Sequence, residues 1–446
     1  MLTSTTALGH RSWVPPQSEA LVQSIASASH AATPRDLSTR LNELISWNDR
    51  IHETECVNLN PATNTMNPAA AAALGSGLGT RTSLGYPGAK YEMGLEAIEQ
   101  IEVIAAELAA EVFGARFAEV RAPSGAIANL YAFMACAQPG DAIIVPPATI
   151  AGHVTHHRAG AAGLYGLEIH EAPIDADNYT IDVAALAVLA EQVQPRLISV
   201  GSSLNLAHHD VAGIRSVADA VDATVLFDAA HLSGPIAGKA WPNPLEQGAH
   251  IMTMSTYKSL GGPTAGLLVT NDAGLAERID AIAFPGLTAN FDAAKTAALA
   301  ITLLDWLACG HDHASAMVTC AQELAAALIE LDVPVFSVKD GPTRSHAFAI
   351  NCAHTGGGQE SALHLRKANI LSSAIGMPTG VDDGLRIGTN ELVRWGAAKT
   401  DMPEIAELIS RALVSTDPTN IAQAVTNYRS RFNKLHYTLQ EASHVG

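Results

Sequence analysis

The fold is decided by "ATVLFDAAHLSGPIA" (223–237) and, a few residues on, "HIMTMSTYKSLGGPTAGLLVTND" (250–272). Each segment holds a short apolar run ended by a polar or turn residue. Runs of this kind separated by helical segments indicate βαβ units around a mostly parallel, buried sheet. Outward from here the pattern repeats in "DAIIVPP" (141–147) and "RLISVGSS" (196–203). Upstream, "AEVRAP" (118–123) reads as a strand between the helices "GLEAIEQIEVIAAELAAEVFG" (94–114) and "SGAIANLYAFMACAQPG" (124–140). After residue 310 the rhythm changes to helix "AQELAAALIEL", strand-like "PVFSV" and "SHAFAINC", another helix, a loop, and "GLRIGT" (384–389). Three parts are expected: a helical arm over 1–58, an α/β domain over 59–310 and a smaller α+β domain over 311–446.

The bulk composition narrows the class. A chain of 446 residues with 48% hydrophobic and 16% charged residues builds a large core. Its formal net charge of −18 argues against nucleic acid or an anionic membrane as partner. Five widely spaced cysteines, an odd number, suit a reducing compartment, and the start carries no apolar signal core. No stretch reads as a membrane span of ~20 uncharged apolar residues. The expected location is the cytoplasm.

Several reactive residues fall at strand ends, where ligands bind in parallel α/β sheets. Lys258 in "STYKSLGGPTAG" is not a phosphate-loop lysine, because its glycines follow it instead of preceding it. Asp228 and His231 end the strand of "LFDAAH", and a parallel βαβ step brings that end near Lys258. Ser124 and Gly125 open a helix directly after a strand, where backbone N–H groups and the helix dipole hold a phosphate. A simple N-cap is the alternative reading of the same serine. Together, a lysine for a Schiff base, a carboxylate for a pyridine nitrogen and an anion site suit pyridoxal phosphate. Arg386, distant in sequence, offers a fork of donors for a substrate carboxylate. The histidines of "GHVTHH", His208, His209, His311 and His313 make no recognisable ligand set and read as solvated loop residues; no metal is expected. "HTGGGQ" (354–359) reads as a turn without the strand-to-helix context of a phosphate cradle.

The combination "GYPGAKY" (85–91), "SGAIANL", "AGHVTH" (151–156), "FDAAHLSGPIA", "STYKSLGGPTAGLLVT", "AFPGL" (283–287) and "GLRIGT" resembles serine hydroxymethyltransferase, a fold-type I pyridoxal phosphate enzyme. The resemblance runs from about residue 59 to 410. It implies a mostly parallel seven-stranded sheet, Lys258 as the Schiff-base lysine, and Asp228 as partner of the pyridine nitrogen. It further places His231 and Ser203 near the cofactor, Ser124 and Gly125 on its phosphate, and Arg386 on the substrate carboxylate. A homodimer with shared active sites is implied as well, and pairing of dimers into a tetramer is left open by the sequence.

This sequence departs from the family at informative places. The stretch that supplies a catalytic glutamate in the family reads Thr82-Ser83-Leu84-Gly85 here, and Leu84 can neither donate nor accept a proton. The substrate-side "SEN" becomes Ala62-Thr63-Asn64, with Asn64 retained near the substrate. The ring-stacking histidine falls on Ile150, which packs against a ring face without a hydrogen bond. Tyr91 and Glu92 replace two tyrosines, and Glu92 is the nearest substitute carboxylate. These changes keep the cofactor residues and put tetrahydrofolate in doubt. The expected chemistry is folate-independent aldol or retro-aldol reaction of a β-hydroxy amino acid of serine, threonine or α-methylserine type, with small amino acid and aldehyde substrates. His231, Glu92 or a water serves as base. The competing readings are a tetrahydrofolate-dependent hydroxymethyltransferase, another pyridoxal phosphate reaction (racemisation, transamination, β-elimination), and a non-catalytic cofactor-binding protein.

Overall fold

The structure, a computed structural model, describes residues 6–442. It divides into two compact units, one ending at Cys56 and the other beginning at Val57.

The first unit is helical. Helix α1 (Pro16–Ala31) was not expected from the sequence, because its run of small and polar residues lacks a strong apolar face. Helix α2 (Pro34–Asp49) is the one its periodicity predicts. Thr33 caps it by accepting from the backbone N–H of Asp36, whose carboxylate reaches back to the Thr33 N–H, and Pro34 sits at the first position.

The second unit is built on a seven-stranded sheet. Its strands are β1 (Phe117–Glu119), β2 (Ala142–Val145), β3 (Glu168–Glu171), β4 (Leu197–Val200), β5 (Thr224–Asp228), β6 (Ile251–Ser255) and β7 (Gly266–Thr270). The order across the sheet is β1-β7-β6-β5-β4-β2-β3. All pairings are parallel except those of β7 with β6 and with β1. The loop between β6 and β7 is too short for a crossover, so the chain turns straight back. Strands β4, β6 and β7 are buried along their whole length, which is why they read as continuous apolar runs.

Helix α3 (Glu96–Phe113) and helix α4 (Gly125–Cys136) flank the sheet, and helix α5 (Ala293–Glu330) forms the spine of the unit. Against expectation, α5 is long and apolar enough by composition to cross a membrane. Most of its apolar window (67%) is buried inside the protein, against α3 among others, as a core helix requires. Its backbone breaks from helical geometry at Cys309.

A second sheet has the order β8-β10-β9, with β8 Ala347–Asn351, β9 Ser373–Met377 and β10 Gly380–Gly388, all antiparallel. Two expectations change here. "PVFSV" contributes only isolated bridges, Val335 to Ile350 and Val338 to Gly341, and β9 is a strand that sequence reading missed. "HTGGGQ" does lie between a strand and a helix, α6 (Gly358–Arg366). Its glycines serve close packing: a side chain at Gly358 would meet the carbonyl oxygen of Gly384 at 1.9 Å, and Gly357 lies against Asp382. Finally, Val57–Asn58 pairs in parallel with Ile370–Leu371, which carries the start of this unit to the second sheet.

Candidate active site

Asp228 is the last residue of β5 and stands opposite Thr253 of the neighbouring parallel strand β6, three residues before the turn that carries Lys258 begins. The Lys258 side chain is 6% exposed, and its Nζ lies 3.2 Å from Nε2 of His231. Burial pulls the ammonium down to about 8; Asp228 opposes the shift and the Arg386 charge adds to it. Such a lysine has a substantial neutral fraction near physiological pH, which a nucleophilic amine requires.

Arg386 of β10 completes the cluster. Its Nη1 donates to the carbonyl oxygen of Ser203 at 2.6 Å and to Nε2 of His231 at 3.3 Å, while Nε and Nη2 donate to the Ser373 hydroxyl. A guanidinium only donates, so Nε2 of His231 is an acceptor and the ring proton sits on Nδ1. Burial, reinforced by the Lys258 and Arg386 charges, holds His231 neutral, well below the usual histidine range. Burial likewise lowers Arg386 to about 10. Among the described residues, each recorded hydrogen-bond partner of Lys258 and Arg386 is uncharged. Two buried cations without an acidic partner form a site built for anionic groups.

Both oxygens of the Asp228 carboxylate are engaged. Its Oδ2 accepts from Asn129 at 2.9 Å and pairs with Nε2 of His156 at 2.8 Å, and its Oδ1 accepts from the Ala230 N–H at 2.9 Å. Burial alone would raise its pKa, but the hydrogen bond and charge of His156, with help from Asn129, hold it well below the carboxylate range. Asn129 is itself fixed by Thr253, whose hydroxyl donates to Oδ1 at 2.6 Å. Asp228 is therefore an ionised, oriented carboxylate in a dry site.

The N-terminus of α4 closes the arrangement. Ser124 is the N-cap, its hydroxyl accepting from the Ile127 N–H at 3.2 Å, so the N-cap reading of this serine describes its bond in this structure. A side chain at Gly125 would meet Oγ of Ser255 at 2.2 Å, which shows how tightly the helix start abuts the end of β6.

Other sequence-predicted residues are placed differently. Asn64 Nδ2 reaches the carbonyl oxygen of Ser259 at 3.5 Å and borders Gly261, so it touches the lysine loop itself. Ile150 is wholly buried in the main apolar core. Tyr91 and Glu92 are not brought to Lys258 by any described contact within the chain. Tyr91 is 83% exposed, and the Glu92 carboxylate accepts from the Leu84 N–H at 3.1 Å, because both directly follow the Gly85–Lys90 hairpin. Sequence reading also missed residues. His156 is buried against Asp228, not solvated in a loop, and His153 and His209 are held by burial at about 4. The signals available were Asn129, an amide inside the otherwise apolar helix α4, and the tight spacing of "GHVTH".

Comparison with known proteins agrees with this geometry. A profile of the serine hydroxymethyltransferase family matches residues 37–409. The chain belongs to the serine hydroxymethyltransferase family. It is 58% identical to an alpha-methylserine aldolase of Variovorax paradoxus over 97% of this chain and 99% of that one. Identity to an alpha-methylserine aldolase of Ralstonia sp is 52%, covering 96% and 99%. A serine hydroxymethyltransferase of Sulfolobus acidocaldarius is 34% identical, covering 87% and 92%. As a member of the serine hydroxymethyltransferase family the protein is a pyridoxal phosphate-dependent enzyme of fold type I, and its residues fit that cofactor. Among the described residues the buried cations have no acidic hydrogen-bond partner, the start of α4 faces the lysine-bearing strand end, and Asp228 is held ionised.

Proposed function

We propose that the protein is a folate-independent aldolase that cleaves α-methylserine-type amino acids to alanine and formaldehyde and runs the reverse addition. One observation carries this reading: identity to alpha-methylserine aldolases is 52–58% across nearly the whole chain, against 33–35% to serine hydroxymethyltransferases. Leu84 supports it, since its side chain cannot transfer the proton that a folate-linked step demands.

In the cleavage, the Cα–Cβ bond breaks, the β-hydroxyl proton passes to a base, formaldehyde leaves, and Cα takes up a proton. Pyridoxal phosphate supplies the electron sink for the pair left on Cα. In this reading Lys258 carries the cofactor, Asp228 faces its pyridine nitrogen, and Ser124 and Gly125 lie at its phosphate, with Ser203 and Ile150 beside the ring. Arg386 takes the substrate carboxylate, and His231, kept neutral, is an acceptor available as base. Asn64 holds the lysine loop.

The reading includes a homodimer in which Tyr91 and Glu92 serve the partner's site; the exposure of Tyr91 and Met93, 83% each, supports it. A division of the second unit near residue 310 is supported by the break at Cys309. A cytoplasmic location is supported by five widely spaced cysteines, an odd number that suits a reducing compartment. The test incubates purified enzyme with α-methylserine and measures alanine and trapped formaldehyde with and without tetrahydrofolate. Equal turnover in both is expected. Turnover only with tetrahydrofolate would make the protein a hydroxymethyltransferase instead.

A further inference from the structure

Arg386 stands directly opposite Ser373 in the antiparallel pairing of β9 with β10. The Ser373 hydroxyl accepts from Nε at 3.2 Å and from Nη2 at 3.0 Å. The same hydroxyl donates to Oδ1 of Asn60 at 3.2 Å. One hydroxyl has one proton and two lone pairs, so all its capacity is used. The direction of its proton is not free. Asn60 Oδ1 also accepts the Ala62 N–H at 3.1 Å, which identifies that atom as the oxygen and aims the serine proton toward it. Both lone pairs are thereby left for the guanidinium.

Asn60 is itself placed by backbone. Leu59 bonds on one side to the carbonyl oxygen of Leu371 at 2.8 Å and on the other receives the Gly388 N–H at 2.8 Å. The Asn60 N–H donates to Oδ1 of Asn58 at 3.0 Å. The segment after Val57 thus threads between the strand residues that flank Ser373 and Arg386. On the far side of the guanidinium, Nη1 is held by the Ser203 carbonyl and leans on His231 at 3.3 Å, the longest of its contacts. A flexible arginine is reduced to one plane, with its second Nη2 proton and the loosely held Nη1 proton as the donors left for a carboxylate.

We propose that Ser373, oriented by Asn60, is a positioning residue for Arg386 and sets the affinity for the carboxylate of the amino acid substrate. This rests on the reading of Arg386 as the carboxylate clamp. Ser373 touches neither cofactor nor reacting atoms in this scheme. Its loss leaves the buried Nε–H without a partner and lets the fork rotate away.

The test uses the holoenzyme and two amines that differ in the carboxylate: α-aminoisobutyrate, and 2-amino-2-methylpropan-1-ol, in which a hydroxymethyl group replaces it. Binding is followed through the cofactor's visible absorbance. Ser373→Ala is expected to weaken α-aminoisobutyrate roughly tenfold, the scale of one hydrogen bond to a charged group, and to leave the amino alcohol within twofold. For α-methylserine the loss is expected in KM, with kcat nearly unchanged. Ser373→Thr, which keeps the hydroxyl on a strand that tolerates β-branching, restores affinity. Equal weakening of both amines, or none, overturns the proposal. Arg386→Met separates the two layers. If it abolishes the preference for α-aminoisobutyrate while Ser373→Ala does not, only the positioning role fails. If it leaves that preference intact, the clamp reading fails and takes the proposal with it.

Discussion

The most direct physical consequence of the site concerns the Lys258 amine in the cofactor-free protein. Burial brings its pKa from the ordinary lysine value of 10.5 to about 8. Converted at 1.36 kcal/mol per unit, that is roughly 3 kcal/mol of destabilised ammonium. At pH 8 about half of the Lys258 side chains are neutral, against roughly 0.3% of ordinary lysines, so the reactive fraction is raised about 150-fold. Trace labelling with acetic anhydride across pH 6–11, followed by digestion and mass spectrometry, measures the midpoint. Restricted access scales the labelling rate but leaves the midpoint unchanged. Arg386→Met is expected to move the midpoint up, because it removes a cationic neighbour, and Asp228→Asn to move it down. The sign also appears in stability: between pH 8 and 10.5 the unfolded chain holds a proton that the folded chain lacks, so stability rises with pH in that window. A wild-type midpoint near 10.5 would refute the argument, since it would mean that solvent reaches the amine freely.

Three further outcomes follow from other parts of the structure. His153 and His209 are held at about 4 and His346 at about 3, chiefly by burial, so each favours the unfolded state increasingly as pH falls below 6.5. Each should cost about 2 kcal/mol by pH 5, visible as a lower urea midpoint, and an acid-insensitive midpoint between pH 7 and 5 would contradict it. Arg394 Nη2 pairs with Asp305 at 2.8 Å with both side chains almost fully buried, and its Nη1 donates to the Tyr437 carbonyl at 2.7 Å. Arg394→Met should destabilise by about 3–5 kcal/mol, and adding Asp305→Leu should recover a large part, because the unpaired buried charge is then gone. Gly125→Ala should weaken cofactor binding at least tenfold, through the 2.2 Å approach to Ser255 Oγ, and Ser255→Ala in the same chain should recover part of it. Unchanged affinity in the single variant would show that the helix start can shift without consequence.

Much of this was legible in the chain itself. The apolar runs ending in Asp228 and before Lys258 are local features, and a parallel step between neighbouring strands needs no further information to bring their ends together. Leu84 and Ile150, where the family's acidic and ring-stacking residues fall, turned the sequence reading toward folate-independent aldol chemistry. Local patterning could not supply partners that come from other elements. His156 and Asn129 meet at Asp228 from 72 and 99 positions away, and a hydrogen bond between distant residues leaves no periodicity in either segment. The β9 strand was missed for a related reason: Ser373, Ala374 and Gly376 are small and its first three residues are only partly buried, so its identity comes from pairing with β10 and not from its own composition. What the sequence determined by itself was the kind of sheet and the lysine it displays, because burial on both faces leaves a mark in composition. What only the tertiary structure decided was which neutral groups hold two buried cations in place, because that depends on directions in space that one-dimensional spacing does not carry.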